Sequence, residues 1–573
     1  MFSCGAEPSQ GNIVRFRSNL ASNVTITFSR IFFEPTPHSL RTVSKPVGLR
    51  YWMLRVLQEC DKVSTDFSAD PVHDLRVALR RCRSMADGMM AIDPDRNWKA
   101  MKKAGKQLFQ QLGALRDTQI MMEWIGKLFS ETEDSRPTIH SHAAAEHELT
   151  PSSTPLASDP VPAPNPEHAM LKLLQARETQ HKREARAALE GFDRKQWRQW
   201  SNSLPQRAAR IRLGSAVFKH LALERWTTAR QLHTVALRNR SQVAWHTLRI
   251  GIKRFRYIVE NFLPVEHAAW AKDLKHMQDL LGEVHDLDVL WAAAQSEHVF
   301  SDYASRKTWH ERITEERARR IDEYRQKTVG PDSRWNVWRA GLPQGKQIQE
   351  FATRRLKLWA NALDPDFSHS ERVARLSLQL YDGLEAAGVF KSIPPQNGKR
   401  ENLRSTLYAA ALLHDVGKSQ GLKAHHKQSQ ELIQKYGTPL GWNEEDMRRA
   451  SLVARFHTGA LPLRSHKALR DLLAEEQRAI IRLSAILRIT NALDSAHDGH
   501  IRKLKLQNAL PPPHRTNGFL RKPVPLAKNE ALIIEAEGYS EASATAQTVA
   551  AERYLLETIL RRPVMVRGTA ATD

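Results

Sequence analysis

The chain has 573 residues, of which 86 are Lys or Arg and 63 are Asp or Glu, so its formal net charge is +23. This excess favours polyanionic partners: nucleic acid, polyphosphate or an acidic membrane surface. The three cysteines include no CxxC pair, which argues against a disulfide framework or a cysteine zinc site and fits a reducing, cytoplasmic location. No apolar run reaches the length of a membrane span, and the chain length predicts about three or four domains.

Changes in composition divide the chain into segments. Residues 1–42 bear arginines, are poor in acidic residues and lack the apolar core of a secretory signal, so we expect an unstructured leader, with a transit peptide as the alternative. Residues 131–166 are rich in Pro, Ser, Thr and Ala, which predicts a disordered insert. The expected segments are the leader, a helical domain (43–330), a linker (331–348), a second domain (349–500) and a small C-terminal subdomain (501–573).

A duplicated motif organises the first domain. Residues 72–89, VHDLRVALRRCRSMADGM, match residues 245–261, WHTLRIGIKRFRYIVEN, at an offset of 246 − 73 = 173. The block LGALRD at 112–117 matches LGEVHD at 281–286, at an offset of 282 − 113 = 169. A repeat of this kind indicates two equivalent structural units.

Each copy of the motif predicts a helix with one apolar and one cationic face, because side chains three and four residues apart share a face. The cationic residues are His73, Arg76, Arg80, Arg81 and Arg83 in the first copy, and His246, Arg249, Lys253, Arg254 and Arg256 in the second. The apolar residues are Leu75, Leu79 and Cys82, and Leu248, Ile252 and Phe255. Guanidinium forks match phosphate oxygens, so two rows in one register favour a bound polyanion over a merely solvated basic face.

The second domain places imidazoles and carboxylates at the ends or faces of predicted helices. His369 opens a helix, the pair His414-Asp415 ends the apolar helix in YAAALLHDVGK, and Asp494 ends another. Mixed nitrogen and oxygen donors predict a divalent-metal site suited to Mn, Mg, Fe or Zn. Such a metal activates water and polarises a phosphoryl oxygen. Gly417-Lys418-Ser419 looks like the end of a phosphate-binding loop, but Leu412 stands where that loop needs glycine, so we reject that interpretation.

The last segment changes its periodicity. Residues 530–537 alternate as a strand does, residues 544–560 have a helical pattern, and residues 563–567 read as a short strand. We therefore expect residues 501–573 to form a small α+β appendage.

Residues from about 45 to 330 resemble the CHAD domain, the conserved-histidine α-helical domain. The resemblance is carried by His73-Asp74-Leu75-Arg76 and His246-Thr247-Leu248-Arg249, by the basic residues that follow each, and by the two Leu-Gly-x-x-x-Asp blocks. It implies two pseudo-symmetric four-helix bundles whose basic faces line a central channel. It also implies binding of inorganic polyphosphate by the cationic residues of both copies. The insert at 131–166 departs from the family pattern.

Residues from about 360 to 573 resemble the C-terminal HD-type region of the exopolyphosphatase/guanosine-pentaphosphatase (Ppx/GppA) family. HSERVARLS, ALLHDVGK, HHKQSQELI, ARFHTGALP and LRITNALD carry this resemblance. It implies an all-α domain with metal ligands at His369, His414, Asp415 and Asp494, and with His425, His426 and His457 as further metal or phosphate contacts. His414, Asp415 and Lys418 are the catalytic candidates. The actin-like half of that family is missing, and Gln428 stands where a histidine often occurs, so the resemblance leaves catalysis open.

Three functions follow from these patterns, on a mainly α fold. The first is a polyphosphate-binding protein whose metal-dependent HD-type domain hydrolyses polyphosphate or a phosphorylated nucleotide. The second is a non-catalytic protein docked on polyphosphate granules, in which the HD-type region is structural or regulatory. The third is a general RNA or DNA binder, which ranks last because no base-reading module is evident. No membrane partner is expected.

Overall fold

The computed structural model describes residues 48–65, 67–129, 166–389, 402–507 and 531–569. The predicted leader, and all of the predicted insert except its last residue, lie outside these ranges. The described chain is mainly α-helical with one small sheet near its C-terminal end, as the sequence predicted. None of the helices in these ranges is both long and apolar enough to span a bilayer.

Helices alone build the first part of the described chain. They are α1 (Leu49–Thr65), α2 (Ala69–Met90), α3 (Arg96–Ala104), α4 (Lys106–Phe129), α5 (Pro166–Glu190), α6 (Arg194–Ala209), α7 (Ala216–Asn239), α8 (Gln242–Phe262), α9 (Pro264–Ser296), α10 (Tyr303–Thr328), α11 (Arg334–Ala340) and α12 (Lys346–Leu363). Their apolar stripes pack into one large core and a smaller one formed mainly by α4, α5, α9 and α10.

The two copies of the motif lie on α2 and α8, and these helices pack against each other. All six predicted apolar residues, Leu75, Leu79, Cys82, Leu248, Ile252 and Phe255, are fully buried. Gly88 permits the close approach of the two helices, because a Cβ there would lie 2.3 Å from the Phe262 ring. The second duplicated block lies on α4 and α9, which pack against α2 and α8 respectively and also against each other. The two repeats are therefore joined along both pairs of helices.

The expected linker contains a helix. Within residues 331–348, α11 forms and buries Trp335 and Trp338 completely in the larger core. Trp338 packs its ring 5.7 Å from that of Phe255 on the second motif helix. This segment thus contributes two of the largest buried side chains of the first part of the chain.

A second core begins on α12 and covers the rest of the described chain. Its elements are α13 (Phe367–Ala386), α14 (Leu403–Leu413), α15 (His425–Tyr436), α16 (Glu444–Arg455), α17 (Ala474–Leu493), β1 (Leu504–Leu506), β2 (Leu532–Glu537), α18 (Ala544–Glu552), α19 (Tyr554–Leu560) and β3 (Val564–Thr569). The sheet has the order β1-β2-β3; β1 runs antiparallel to β2, and β2 runs parallel to β3. The helices and strands predicted after residue 530 are present.

Arg355 on α12 joins the two cores and is buried. Its guanidinium donates to the carbonyl of Ala91, which follows α2, and pairs at 2.6 Å with Glu224 on α7. His220, also on α7, places Nε2 2.8 Å from the carbonyl oxygen of Leu440, beyond α15. Buried charges of this kind are stable only when fully paired, so these contacts hold the two halves in one arrangement.

Candidate functional site

The loop after α14 brings several histidines together. α14 ends at Leu413, and residues Val416–Gln420 form a short 3-10 helix. Ser429 on α15 donates to the His414 carbonyl at 2.6 Å and accepts from the Gly417 amide at 2.9 Å. A Cβ at Gly417 would lie 2.1 Å from the carbonyl oxygen of His425, so α15 packs directly against this loop. Only glycine permits that approach.

Asp415 is the centre of the cluster and is almost completely buried. On its Oδ1 side, His425 Nε2 lies at 3.3 Å and His457 Nε2 at 3.6 Å, and these two nitrogens are 3.1 Å apart. The Nδ1 atom of each ring lies within hydrogen-bond distance of a backbone carbonyl three residues earlier, so it carries the proton. The two Nε2 lone pairs and a carboxylate oxygen therefore converge without a proton donor between them.

The Oδ2 side of Asp415 has a similar arrangement. His414 Nε2 lies 3.2 Å from Oδ2 and His369 Nε2 lies 4.0 Å from it. His414 Nδ1 is fixed by the Ala411 carbonyl at 2.7 Å, so Nε2 is the ring atom that faces Oδ2. Among the described residues, His414 Nε2 and Asp415 Oδ1 are buried without a hydrogen-bond partner. Orphaned buried polar atoms are rare, and a cation bound between them, with Nε2 deprotonated, would satisfy both.

These donor atoms fit a divalent metal. The atoms of His369, His414 and Asp415 lie within 4.8 Å of one another, and so do those of Asp415, His425 and His457. Both groups combine imidazole nitrogen with carboxylate oxygen, which suits Mn, Fe or Zn and, with added water, Mg. Asp415 belongs to both groups, so its carboxylate would be a ligand in either of them.

Asp494 lies behind His369 and takes part in neither group. Its Oδ2 lies 2.7 Å from His369 Nδ1, and its carboxylate accepts from Arg372 Nε at 2.9 and 3.0 Å. His369 Nε2 lies 2.9 Å from Asn491 Oδ1. In this position Asp494 orients the His369 ring in the way that carboxylates often orient metal-binding histidines.

The charges of the cluster perturb one another. Burial alone would raise the pKa of Asp415, but the surrounding imidazoles outweigh it and hold that pKa well below its usual range. Burial would lower the pKa of His414, and the charge of Asp415 raises it instead. Burial keeps the pKa of His457 well below its usual value. Asp415 is thus ionised and His457 neutral at neutral pH, which are the protonation states that bind metal.

Two more predicted residues border the cluster. Lys418 Nζ lies 2.6 Å from Asp415 Oδ2, so an ammonium group faces the cluster from the 3-10 helix. His426 is half-buried on α15, with its ring centroid 5.9 Å from that of His425, and belongs to neither group of metal-binding atoms. Lys418 is placed to contact an anion at the cluster, whereas His426 lies one residue beyond it.

The cationic faces of the two motif copies meet between α2 and α8. Arg76, Arg80, Arg249 and Lys253 are half-buried there. Burial lowers the pKa of Lys253 to about 8, and repulsion from Arg249, Arg80 and Arg76 contributes to this. Four cations so close together are costly without an anion. We call these four residues the cationic row.

The other predicted members of the cationic faces lie around this row. His73 is exposed, and His246 Nδ1 lies 3.2 Å from His285 Nδ1. Arg81 pairs with Glu260 at 2.5 Å, and Arg256 lies 3.7 Å from the same carboxylate. Arg83 donates to the Lys102 carbonyl at 2.9 Å, and Arg254 is exposed. Arg81 and Arg83 therefore have partners within the protein.

Sequence reasoning missed several residues that shape both sites. Asp117 and Asp286, the aspartates that end the second duplicated block, act electrostatically on Arg76. Burial raises the pKa of Asp286 to about 6. The duplication of that block was the available signal for them. Arg372 lies one helical turn after His369 in HSERVARLS, whereas nothing in the sequence pointed to Asn491.

Comparison with known families agrees with both resemblances. A family model described as CHAD domain matches residues 53–295. A family model described as Ppx/GppA phosphatase, domain III, matches residues 353–533. No curated protein matches the chain significantly. The chain therefore carries a CHAD domain followed by a Ppx/GppA phosphatase domain III.

Proposed function

We propose that this chain binds inorganic polyphosphate along the cationic row and that its Asp415 cluster is an HD-type metal site that hydrolyses polyphosphate or a phosphorylated nucleotide. The proposal rests on the convergence of His425 Nε2, His457 Nε2 and Asp415 Oδ1, three acceptors that face one another with no donor between them. Both family matches concern phosphate chemistry and support the same substrate class.

Each residue of the cluster has a definite task in this proposal. Asp415 stays ionised and, with His369 and His414 on one side and His425 and His457 on the other, holds the metal. Arg372 fixes Asp494, which in turn orients His369. A divalent cation held there activates water and withdraws electron density from a phosphoryl oxygen. Lys418 neutralises the negative charge that develops on the transferred phosphoryl group.

The cationic row has a separate task, which is to hold a chain of phosphates. Arg76, Arg80 and Arg249 present planar forks of donors to phosphate oxygens, and Lys253 adds a point charge. Binding of a polyanion relieves the mutual repulsion of these four residues and releases counterions, so the affinity should fall steeply with salt. His73 and His246, one turn before Arg76 and Arg249 on the same helices, would add imidazoles to the row.

The position of Lys418 supports an alternative in which the domain that holds the Asp415 cluster is not catalytic. Its ammonium already neutralises Asp415 at 2.6 Å without any metal. In this alternative the cationic row docks the protein on polyphosphate granules and the cluster is structural or regulatory. A general nucleic-acid binder would use the same row, and excess tRNA would then displace polyphosphate.

The deciding experiment measures phosphate release from long-chain polyphosphate and from guanosine tetraphosphate by protein loaded with Mn²⁺ or Mg²⁺. Release that is lost in Asp415→Ala supports the hydrolase. Absence of release on both substrates, with polyphosphate still bound, supports the docking protein. Binding that survives the double change Arg80→Glu and Arg249→Glu contradicts the cationic row in either case.

A further inference from the structure

The pseudo-symmetry of α2 and α8 is broken at one pair of positions. At the motif offset of 173, Arg81 matches Arg254 and Asp87 matches Glu260. On one side of the helix crossing, Arg81 and Glu260 form an ion pair of 2.5 Å, and the Arg81 guanidinium lies over the Trp52 ring. On the other side Asp87 pairs with Lys102 instead, and Arg254 has no ion-pair partner among the described residues.

A cleft opens where the second ion pair is missing. Its volume is about 400 Å³, and it is lined by Ser84, Asp87, Met90, Ala91, Lys102, Arg225, Arg254, Tyr257 and Ile258. A volume of this size lies within the range of small-molecule sites in proteins. On the other side of the crossing Arg81 contacts both Glu260 and the Trp52 ring, so the cleft is a specific difference between the two sides.

The cleft carries unneutralised positive charge. Lys102, Arg225 and Arg254 line it against the single carboxylate of Asp87. Arg225 is half-buried and, like Arg254, forms no ion pair within the described parts of the chain. A guanidinium that is withdrawn from water without a partner is costly, and a bound anion removes that cost.

The floor of the cleft differs from the cationic row in being largely apolar. Met90, Ala91 and Ile258 line it beside the Tyr257 ring. Apolar side chains beside unpaired cations suit a ligand that is partly apolar and partly anionic.

We propose that this cleft binds a nucleoside di- or triphosphate. Arg225, Arg254 and Lys102 hold the phosphates, and the base lies on Met90 and Ile258 beside the Tyr257 ring. The site is distinct from the cationic row, although Lys253 and Tyr257 lie one turn apart on α8. It also adjoins the joint between the two cores, because the Ala91 carbonyl accepts from Arg355 and Arg225 follows Glu224.

Calorimetric titration of the full chain with ATP, in buffer containing EDTA to keep metal out of the Asp415 cluster, tests this site. The expected result is saturable binding that Arg254→Ala weakens about tenfold, which corresponds to one charge-assisted hydrogen bond. Arg225→Ala should weaken it similarly. Arg210→Ala removes an exposed arginine that does not line the cleft and serves as the matched control.

Two parallel measurements separate this proposal from the proposed function. Long-chain polyphosphate should bind Arg225→Ala within about twofold of the unchanged protein, since the cationic row is intact. ATP affinity that is unchanged in both Arg254→Ala and Arg225→Ala would overturn the site. Tripolyphosphate that binds as tightly as ATP, and that both variants weaken to the same extent as ATP, would overturn the nucleoside assignment. Arg254 is exposed, so its replacement keeps the test valid even if Arg225→Ala fails to fold.

Discussion

Lys418 Nζ and Asp415 Oδ2 are 2.6 Å apart, so an internal cation lies on the carboxylate at the centre of the histidine cluster. A divalent ion bound to the same carboxylate must share it with this ammonium or displace it. Because like charges at this separation repel strongly, the metal affinity of the cluster depends on Lys418.

Replacing Lys418 with Gln should therefore raise the affinity for Mn²⁺ about tenfold, since the competing charge is gone. Phosphate release should fall in the same variant, because the neutralising group is lost. Mn²⁺ titration by calorimetry measures the first effect. Asp415→Asn is the control, and it should lose Mn²⁺ binding instead of gaining affinity. Weaker Mn²⁺ binding by Lys418→Gln than by the unchanged protein would contradict this role of the lysine.

Polyphosphate binding should weaken as the pH rises from 7 to 9. The pKa of Lys253 in the free protein is about 8, so the residue is largely charged at pH 7 and largely neutral at pH 9. A bound polyanion favours the charged form, so each pH unit above 8 costs about tenfold in affinity. Fluorescence anisotropy with labelled polyphosphate measures this.

Lys253→Arg is the matched variant for that experiment. Arginine keeps its charge over the whole range, so the decline between pH 7 and 9 should disappear while binding at pH 7 is retained. A decline that persists unchanged in Lys253→Arg would assign the titration to another group.

Asp93→Asn should destabilise the first core by about 1–3 kcal/mol, because the half-buried guanidinium of Arg207 keeps only Asp95 as an ionic partner. Asp93 accepts from Arg207 at 2.7 and 2.8 Å and from the buried Trp98 indole at 2.9 Å. Urea unfolding followed by Trp fluorescence gives the free energy. Asp193→Asn, at the exposed N-terminal cap of α6, is the milder comparison.

The contribution of Asp93 to folding stability should also disappear at low pH. Burial would raise the pKa of Asp93, but the hydrogen bonds from Arg207 and Trp98 outweigh it and lower that pKa below its usual value. A group with a lowered folded-state pKa contributes stability above its unfolded pKa of about 4 and loses it as the pH falls through the folded value. The difference in stability between the unchanged protein and Asp93→Asn should therefore shrink below pH 4. A constant difference down to pH 2 would count against this assignment.

Gly417→Ala should abolish metal binding and destabilise the second core by about 1–3 kcal/mol, the usual cost of overpacking. The added Cβ would lie 2.1 Å from the His425 carbonyl and 2.5 Å from the Ser429 amide, so α15 must move away from the loop. Mn²⁺ titration and thermal unfolding measure the two effects. Gly421→Ala is the contrasting variant. The backbone at Gly421 has a φ of 136°, which strains alanine, but no atom lies within 4 Å of the new Cβ. This variant should lose stability and keep metal binding largely intact.

The sequence predicted which residues share a helix face, because periodicity alone determines that. It predicted the buried residues of α2 and α8 for this reason. It did not show which faces oppose one another. The Lys102 carbonyl that binds Arg83, and the Glu260 carboxylate that binds Arg81, depend on helix packing that leaves no local pattern.

The histidine cluster illustrates the same limit. His425 and His457 are 32 residues apart, and their Nε2 atoms meet only because α15 packs on Gly417 and α16 ends beside it. Sequence reasoning could place each on a helix end without giving their distance from Asp415. The contact of Arg372 with Asp494 could not be predicted for the same reason, since the two residues are 122 positions apart in the sequence.

The contacts of Arg355 give the chain a mechanical property as well as a fixed arrangement. If the first core unfolded, the Arg355 guanidinium would lose Glu224 and the Ala91 carbonyl as partners. If the second core unfolded, the Ala91 carbonyl at the end of α2 would lose the donor that caps it. Each core thus raises the melting temperature of the other. We therefore expect the two cores to unfold with coupled rather than independent midpoints.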